Sequence, residues 1–253
     1  MKEAQSAQKT TGGIFYGWWI VAVCFLVLLV HSGCAFYSFS VFLDVWKAQF
    51  PASSVTAVSL PAALYMLMVG ITGPVIGQLT DRYGPKRLIL GGGVIAGTGL
   101  MLLSQVTEVW HLYVLYSLVG IGMSGAGFIP VSTTISNWFA KRRGMAIGIT
   151  TAGIALGALL ALLTDHLIES ISWQAAFLVL GAITFALVIP SIALVMKTRP
   201  EDMGLLADNA APLNQVAVAK MEAVPGAEVS FDVRPERPVV KALRLSLIHI
   251  SEP

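Results

Sequence analysis

Charge is what this 253-residue sequence has least of. Lys, Arg, Asp and Glu together make up 12% of it, against about a quarter in a typical soluble domain. Apolar residues reach 56%, and the mean hydropathy is +0.76. The few charges crowd into the two ends and into short interruptions, which leaves apolar runs long enough to cross a bilayer, for which roughly 20 residues are needed. This balance excludes a soluble globular domain, and a net charge of +2 averaged over such a chain says little. Cysteine is almost absent too. Cys24 and Cys34 lie ten residues apart in one predicted helix, about 15 Å at the helical rise and beyond disulfide reach, so both read as small apolar fillers. Residues 1–13 are polar, and the apolar run that follows is far longer than the roughly 7–15 residues of a signal-peptide core, so it reads as a retained span. No catalytic triad, metal-ligand cluster or nucleotide loop is present, so no enzyme and no cofactor are expected. Gly120-Ile-Gly-Met-Ser-Gly125 is rich in glycine but sits inside an apolar span with no strand before it.

What is there is a series of six spans, approximately 15–45, 55–79, 88–106, 110–137, 145–163 and 173–195. Each must satisfy its own backbone hydrogen bonds in hydrocarbon, which makes the helix the default. Their Gly and Ala content predicts close helix packing, since small residues let backbones approach in lipid. Gly70, Gly73 and Gly77, and Gly153 and Gly157, read as such packing surfaces. The fold class is therefore an all-α membrane protein.

Lys2, Lys9, Arg82, Lys86, Arg87, Lys141, Arg142, Arg143, Lys197 and Arg199 fall on one side of these spans, and Lys47 alone on the other. Ten against one predicts a cytoplasmic N-terminus and cytoplasmic loops after spans two, four and six. Trp18, Trp19, Trp46, Trp110, Trp138 and Trp173 all lie near span ends, where indoles favour the membrane interface. The expected organisation is a cytoplasmic tail over 1–14, a six-helix bundle over 15–196 and a flexible cytoplasmic linker over 197–244. Residues 245–253, LSLIHISEP, resemble the translation of a transposase adapter from sequencing libraries and are read as a non-native tail.

The most specific stretch is Gly77-Gln-Leu-Thr-Asp-Arg-Tyr-Gly-Pro-Lys-Arg87. Four of its eleven residues are charged, while the twenty-two before it carry no charge. A glycine at the end of span two suits close helix contact, Gly84 suits a left-handed turn, and Pro85 suits the first turn of span three. An ordinary basic loop explains Arg82, Lys86 and Arg87 but not the spaced Gly, Asp and Gly. Together, Gly77, Leu79, Asp81, Arg82, Gly84, Lys86 and Leu90 resemble the loop motif between helices two and three of the major facilitator superfamily. Tyr16-Gly-Trp-Trp19, the run Asn137-Trp-Phe-Ala-Lys-Arg-Arg-Gly-Met145 and Arg199-Pro-Glu-Asp-Met-Gly-Leu205 resemble its monocarboxylate-porter and oxalate:formate-antiporter branch. This sequence lacks the lysine that animal monocarboxylate porters carry in the second half of helix one, and Phe15-Tyr16 stand where an acidic residue usually precedes the Gly-Trp pair. A bacterial relative in an inner membrane is expected instead.

The resemblance implies that the six spans are the N-terminal half of a twelve-helix fold, with a second six-helix half as partner in the lipid bilayer. It implies a secondary transporter of small organic anions by alternating access, coupled to a proton or a counter-anion. A facilitator for another solute (sugar phosphate, nitrate or a drug) or a six-helix scaffold protein are the alternatives. No nucleic-acid partner is expected. Helices one and four of this half would line the cavity. The candidates for substrate contact are His31, Tyr37 and Ser38 on the first, Tyr65 on the second, and Ser132, Thr133 and Ser136 on the fourth. His31 is the ionisable residue well inside a span, read either as a proton or anion partner or as a neutral ring bonded to a backbone carbonyl. Gly77, Leu79, Asp81, Arg82, Gly84, Lys86 and Arg87 would form a conformational latch, with Lys141, Arg142 and Arg143 as a basic loop. No Lys or Arg lies within the spans, so the cationic partner of a carboxylate is expected from the second half.

Overall fold

The computed structural model describes residues 15–198 and residue 200. Within them, six helices are long and apolar enough to cross a membrane: α1 (Gly17–Gln49), α2 (Val55–Tyr83), α3 (Pro85–Leu103), α4 (Val109–Trp138), α5 (Arg143–Ser170) and α6 (Trp173–Val195). The expected tail over 1–14, nearly all of the linker and the adapter-like tail lie outside the described residues.

Short connections join the helices in alternating direction. Ser54 and Ser172 start α2 and α6 as N-caps, their side chains accepting from the N–H groups of Ala57 and Ala175 at 3.2 Å each. The charged stretch 77–87 is less of a loop than its composition suggests. Its first residues complete α2 through Tyr83, Gly84 alone makes the turn at φ 85° and ψ 149°, and Pro85 already opens α3. That backbone conformation is open almost only to glycine. At the far end α5 runs on to Ser170, past the expected boundary at residue 163, so Asp165, His166 and Glu169 are helical.

Close approach holds the bundle together. A methyl group on Gly92 of α3 would strike the Gly122 carbonyl of α4, and one on Gly125 would meet Gly92 Cα at 3.2 Å. Gly122 and Gly125 of α4 thus pack against α3, while a Cβ on Gly120 would meet the Tyr65 carbonyl of α2 at 2.8 Å. On the other side α5 lies against α1, where a Cβ on Gly153 would meet the Phe25 carbonyl at 2.5 Å. Gly70 and Gly77 differ from this expectation: a Cβ on either would meet nothing within 4 Å among the described residues.

α1 and α4 are the enclosed members, with 61% of their apolar windows buried, against 17% in α2 and 22% in α5. α2 and α5 consequently present large apolar side chains outward, among them Ile71, Val75, Met145 and Leu162. The tryptophans divide. Trp19 and Trp110 are exposed at span ends as an interface belt requires, whereas Trp46 and Trp138 are fully buried between helices. Trp46 stacks with Phe42 and Phe177, whose own centroids are 3.8 Å apart.

α6 is π-helical over Thr184–Val188, and three further helices are irregular in their middles. α1 is π-helical over Ser32–Tyr37, α4 breaks at Gly127, and α5 is interrupted at Gly157 and Ala158. Such departures inside helices concentrate at functional sites, and these three lie side by side.

Candidate functional site

His31 closes the regular part of α1, immediately before the π-helical stretch. The extra residue in that turn is held by Ser38, whose N–H and hydroxyl both donate to the Gly33 carbonyl, the hydroxyl at 2.7 Å. Ser32 Oγ crosses to donate to the Ile154 carbonyl of α5 at 3.0 Å, and Ser38 Oγ meets Thr164 Oγ1 at 2.7 Å. Between these two polar clamps, Gly157 approaches so closely that a Cβ there would collide with Ser32 Oγ and lie 2.8 Å from Gly33 N. The bulge in α1 therefore fits the interruption in α5, and together they fix the place from which the His31 ring projects.

Facing it, α4 breaks at Gly127, just before Pro130, whose ring leaves no N–H for the preceding turn. A Cβ on Gly127 would stand 3.5 Å from His31 Cε1 and 2.7 Å from the Met123 carbonyl. With α2 these elements form a half-open pocket of about 280 Å³ lined by His31 and Tyr65 among mostly apolar side chains, including Leu28, Phe36, Val69 and Met123. His31 Nδ1 is buried and has no hydrogen-bond partner, so the backbone-bonded alternative for this ring is not what the structure holds. The two serines at the cavity wall are otherwise engaged: Ser32 with Ile154, and Ser124 with the Val69 carbonyl at 3.5 Å. No Lys or Arg lines the cavity.

Of the residues expected at a substrate site, the structure brings together His31 and Tyr65. The others stand apart from this cavity. Ser38 is fully buried between α1 and α5, and Tyr37 packs edge-on against Phe36 with its ring centroid 5.1 Å away. Ser132 and Thr133 both donate to the Ile129 carbonyl, and Ser136 donates to that of Ser132, all within α4. Apolar lining residues such as Met66 and Ile129 escape sequence reading, because nothing in an apolar span distinguishes a side chain facing a cavity from one facing lipid.

The latch residues gather where α2 ends and α3 begins. Asp81 is exposed with no ion pair among the described residues, and the Arg82 guanidinium lies 5.3 Å from the centre of the Tyr83 ring. Lys86 Nζ donates to the Ala193 carbonyl of α6 at 2.9 Å. Leu79 and Arg87 flank this turn, and Lys141, Arg142 and Arg143 are exposed between α4 and α5.

These features define a six-helix membrane bundle with a half-open, ligand-sized pocket between α1, α2, α4 and α5. Comparison with known proteins then gives its family. The Major Facilitator Superfamily profile matches residues 23–246, and the chain belongs to that superfamily, whose members are membrane transporters and not enzymes. It is 29% identical over 192 residues to monocarboxylate transporter 13 of Bos taurus, which covers 73% of this chain and 43% of the relative. It is 32% identical over 201 residues to monocarboxylate transporter 12 of Rattus norvegicus, covering 78% of this chain and 40% of that one. A crystal structure of the peptide transporter POT in complex with sulfate superposes with a TM-score of 0.61 at 20% identity, over 91% of this chain and 46% of that chain. That likeness shows the fold. The chain spans about two fifths of the length of these two curated relatives.

Proposed function

We propose that this chain supplies one six-helix half of a secondary transporter for small organic anions, with monocarboxylates as the substrate class. The observation that supports this most is the cavity between α1, α2, α4 and α5, where the unpartnered His31 and Tyr65 meet three helix irregularities. Discontinuous helices at mid-membrane are where transporters of this type place their substrates. The similarity to monocarboxylate transporters 13 and 12 supports the substrate class.

A second half of six helices completes the site in this reading. It covers the open sides of α2 and α5 and brings the cation that pairs with the substrate carboxylate, since the wall described here offers none. The two halves rock about the bound anion, driven by a proton or counter-anion gradient. The ten-to-one distribution of basic residues supports a cytoplasmic N-terminus, and a bacterial inner membrane fits the departures from the animal pattern in helix one. Asp81 and Arg82 form the inner latch between halves.

Uptake of labelled lactate, formate, oxalate and phenyllactate into proteoliposomes carrying the complete reading frame is the direct test, run with an imposed pH gradient and, separately, with internal unlabelled anion. Saturable uptake of at least one acid supports the proposal. Absence of flux with every acid under both conditions overturns it.

A further inference from the structure

A second, smaller chamber of about 80 Å³ adjoins the pocket, between Ala35 and Phe39 of α1, Ala62 of α2 and Tyr116 of α4. Phe36, Tyr65 and Met66 line both spaces, so these three side chains are the partition between them. Phe39, Ala62 and Tyr116 lie nearer the α1–α2 connection than His31, Val69 and Met123 do on the same three helices. The ten-to-one distribution of basic residues makes that end the outer one. An apolar cavity of about 150 Å³ accepts benzene. The chamber is about half that size, so it admits water but no solute with a body of its own.

The three members of the partition differ in freedom. Tyr65 is buried, and Gly120 of α4 approaches its carbonyl so closely that a Cβ would stand 2.8 Å away, which pins α2 against α4 at this level. Phe36 is 44% exposed and Met66 47% exposed. Phe36 belongs to the π-helical stretch Ser32–Tyr37, which Ser32 ties to the Ile154 carbonyl at 3.0 Å and Ser38, just beyond it, to Thr164 at 2.7 Å. The backbone beneath Phe36 is therefore held on both sides, while its ring is free to turn about its own side-chain bonds, a fast motion for an exposed residue. Resting on the transport reading above, we propose that Phe36 is the outer gate of the pocket. Closed against Tyr65 and Met66, its ring separates the pocket from the Tyr116 chamber. Swung away, it joins the two spaces into one path toward the outer face.

The test places one cysteine reporter on each side of the partition in the complete protein: Ser124→Cys, which lines the pocket alone, and Ala62→Cys, which lines the chamber alone. Each is made with and without Phe36→Ala. Sealed vesicles of known orientation receive a small, charged, membrane-impermeant thiosulfonate from the outer face, and the same proteins without a reporter are the blanks. Labelling scales with the fraction of time the gate is open, and a minor state is populated to about 10% or less. Phe36→Ala is thus expected to raise the labelling rate at Ser124→Cys by about tenfold or more and to change that at Ala62→Cys by less than about twofold. Phe36→Trp is expected to slow labelling at Ser124→Cys. An unchanged rate at Ser124→Cys in Phe36→Ala overturns the gate and leaves organic-anion transport standing. Equal acceleration at both reporters, or from both faces of the membrane, does the same, since it shows a loosened bundle. The expected labelling pattern without flux of any acid overturns the transport reading and leaves a gated pocket.

Discussion

The indole Nε1 of Trp138, at the end of α4, donates to the backbone carbonyl of Lys197 at 2.9 Å, just beyond α6. Three neighbours do the same for adjacent carbonyls: Lys86 for Ala193 at 2.9 Å, Tyr16 for Val195 at 2.7 Å and Asn137 for Thr198 at 3.3 Å. A helix C-terminus leaves its last carbonyls unsatisfied, and here side chains from α3, α4 and the start of α1 answer them. The aromatic and amide residues that mark the family branch in the sequence therefore tie off the exit of α6 rather than line the cavity. Trp138→Phe keeps a ring between Phe15 and Tyr16 but removes the donor. It is expected to lower stability by about 0.5–1.5 kcal/mol, measured as a lower midpoint in thermal or denaturant unfolding of the complete protein. Trp138→Ala also empties a fully buried site and is expected to cost about 3–5 kcal/mol. A Phe variant as damaging as the Ala variant would show that the indole bond, not the packing, dominates.

The glycines of α5 make opposite predictions according to what they touch. Gly157→Ala drives a methyl into Ser32 Oγ and the backbone of Gly33, and Gly153→Ala drives one into the Phe25 carbonyl. Backbone cannot step aside cheaply, so both variants are expected to reduce the folded fraction recovered from membranes. Gly148→Ala meets nothing within 4 Å among the described residues and should leave recovery unchanged. If the open side of α5 receives the second half, Gly148→Leu lowers transport in the complete protein while the helices still insert. Fluorescence size-exclusion profiles and uptake, measured on the same preparations, separate the two effects.

The helices were legible in the sequence because a bilayer demands long uncharged runs, and the observed α6 matches the expected span, 173–195. Boundaries were less so where a helix leaves hydrocarbon without ending, as α5 does through Asp165 and Glu169. The loop-like composition of 77–87 hid a single-residue turn, since charged residues at a membrane surface are as compatible with helix as with coil. His31 stood out as an ionisable group in an apolar span, and the cavity is where it lies. Ser38 stood out by the same polarity, yet its hydroxyl holds a π-helical turn to α5. Polarity in a span marks either a ligand or an unusual helix, and only the packing of neighbouring helices distinguishes the two.

Gly84 and Asp81 separate folding from latch function within one motif. At φ 85° and ψ 149°, Gly84 occupies a region that other residues enter at a cost of about 1–3 kcal/mol. Gly84→Ala is therefore expected to destabilise the α2–α3 connection by that amount. Asp81 is exposed and makes no ion pair among the described residues, so Asp81→Asn should leave unfolding midpoints unchanged. Its effect is expected in transport alone, as a lower maximal rate with membrane insertion intact. Unchanged flux in Asp81→Asn would reduce the motif to a topology signal and a turn.

Ser38 and His31, seven residues apart on α1, should respond to substitution in opposite ways. Ser38 Oγ donates to Gly33 O and accepts from Thr164 Oγ1, but each partner has another bond to fall back on: Gly33 O accepts from Ser38 N–H, and the Thr164 hydroxyl can turn its one proton to Leu160 O at 2.8 Å. Interhelical hydrogen bonds in membranes average about 0.6 kcal/mol, so Ser38→Ala is expected to cost on that order and to leave KM unaltered. A double-mutant cycle with Thr164→Val isolates the pair. His31→Leu removes an imidazole whose Nδ1 is buried without a partner, so the bundle has no native bond to lose there. It is expected to unfold no more easily than the parent, and yet to raise KM for the transported acids by about tenfold. Loss of stability in His31→Leu, with transport kinetics preserved, would make the ring a structural element and move the search for the substrate oxygen's partner to Tyr65.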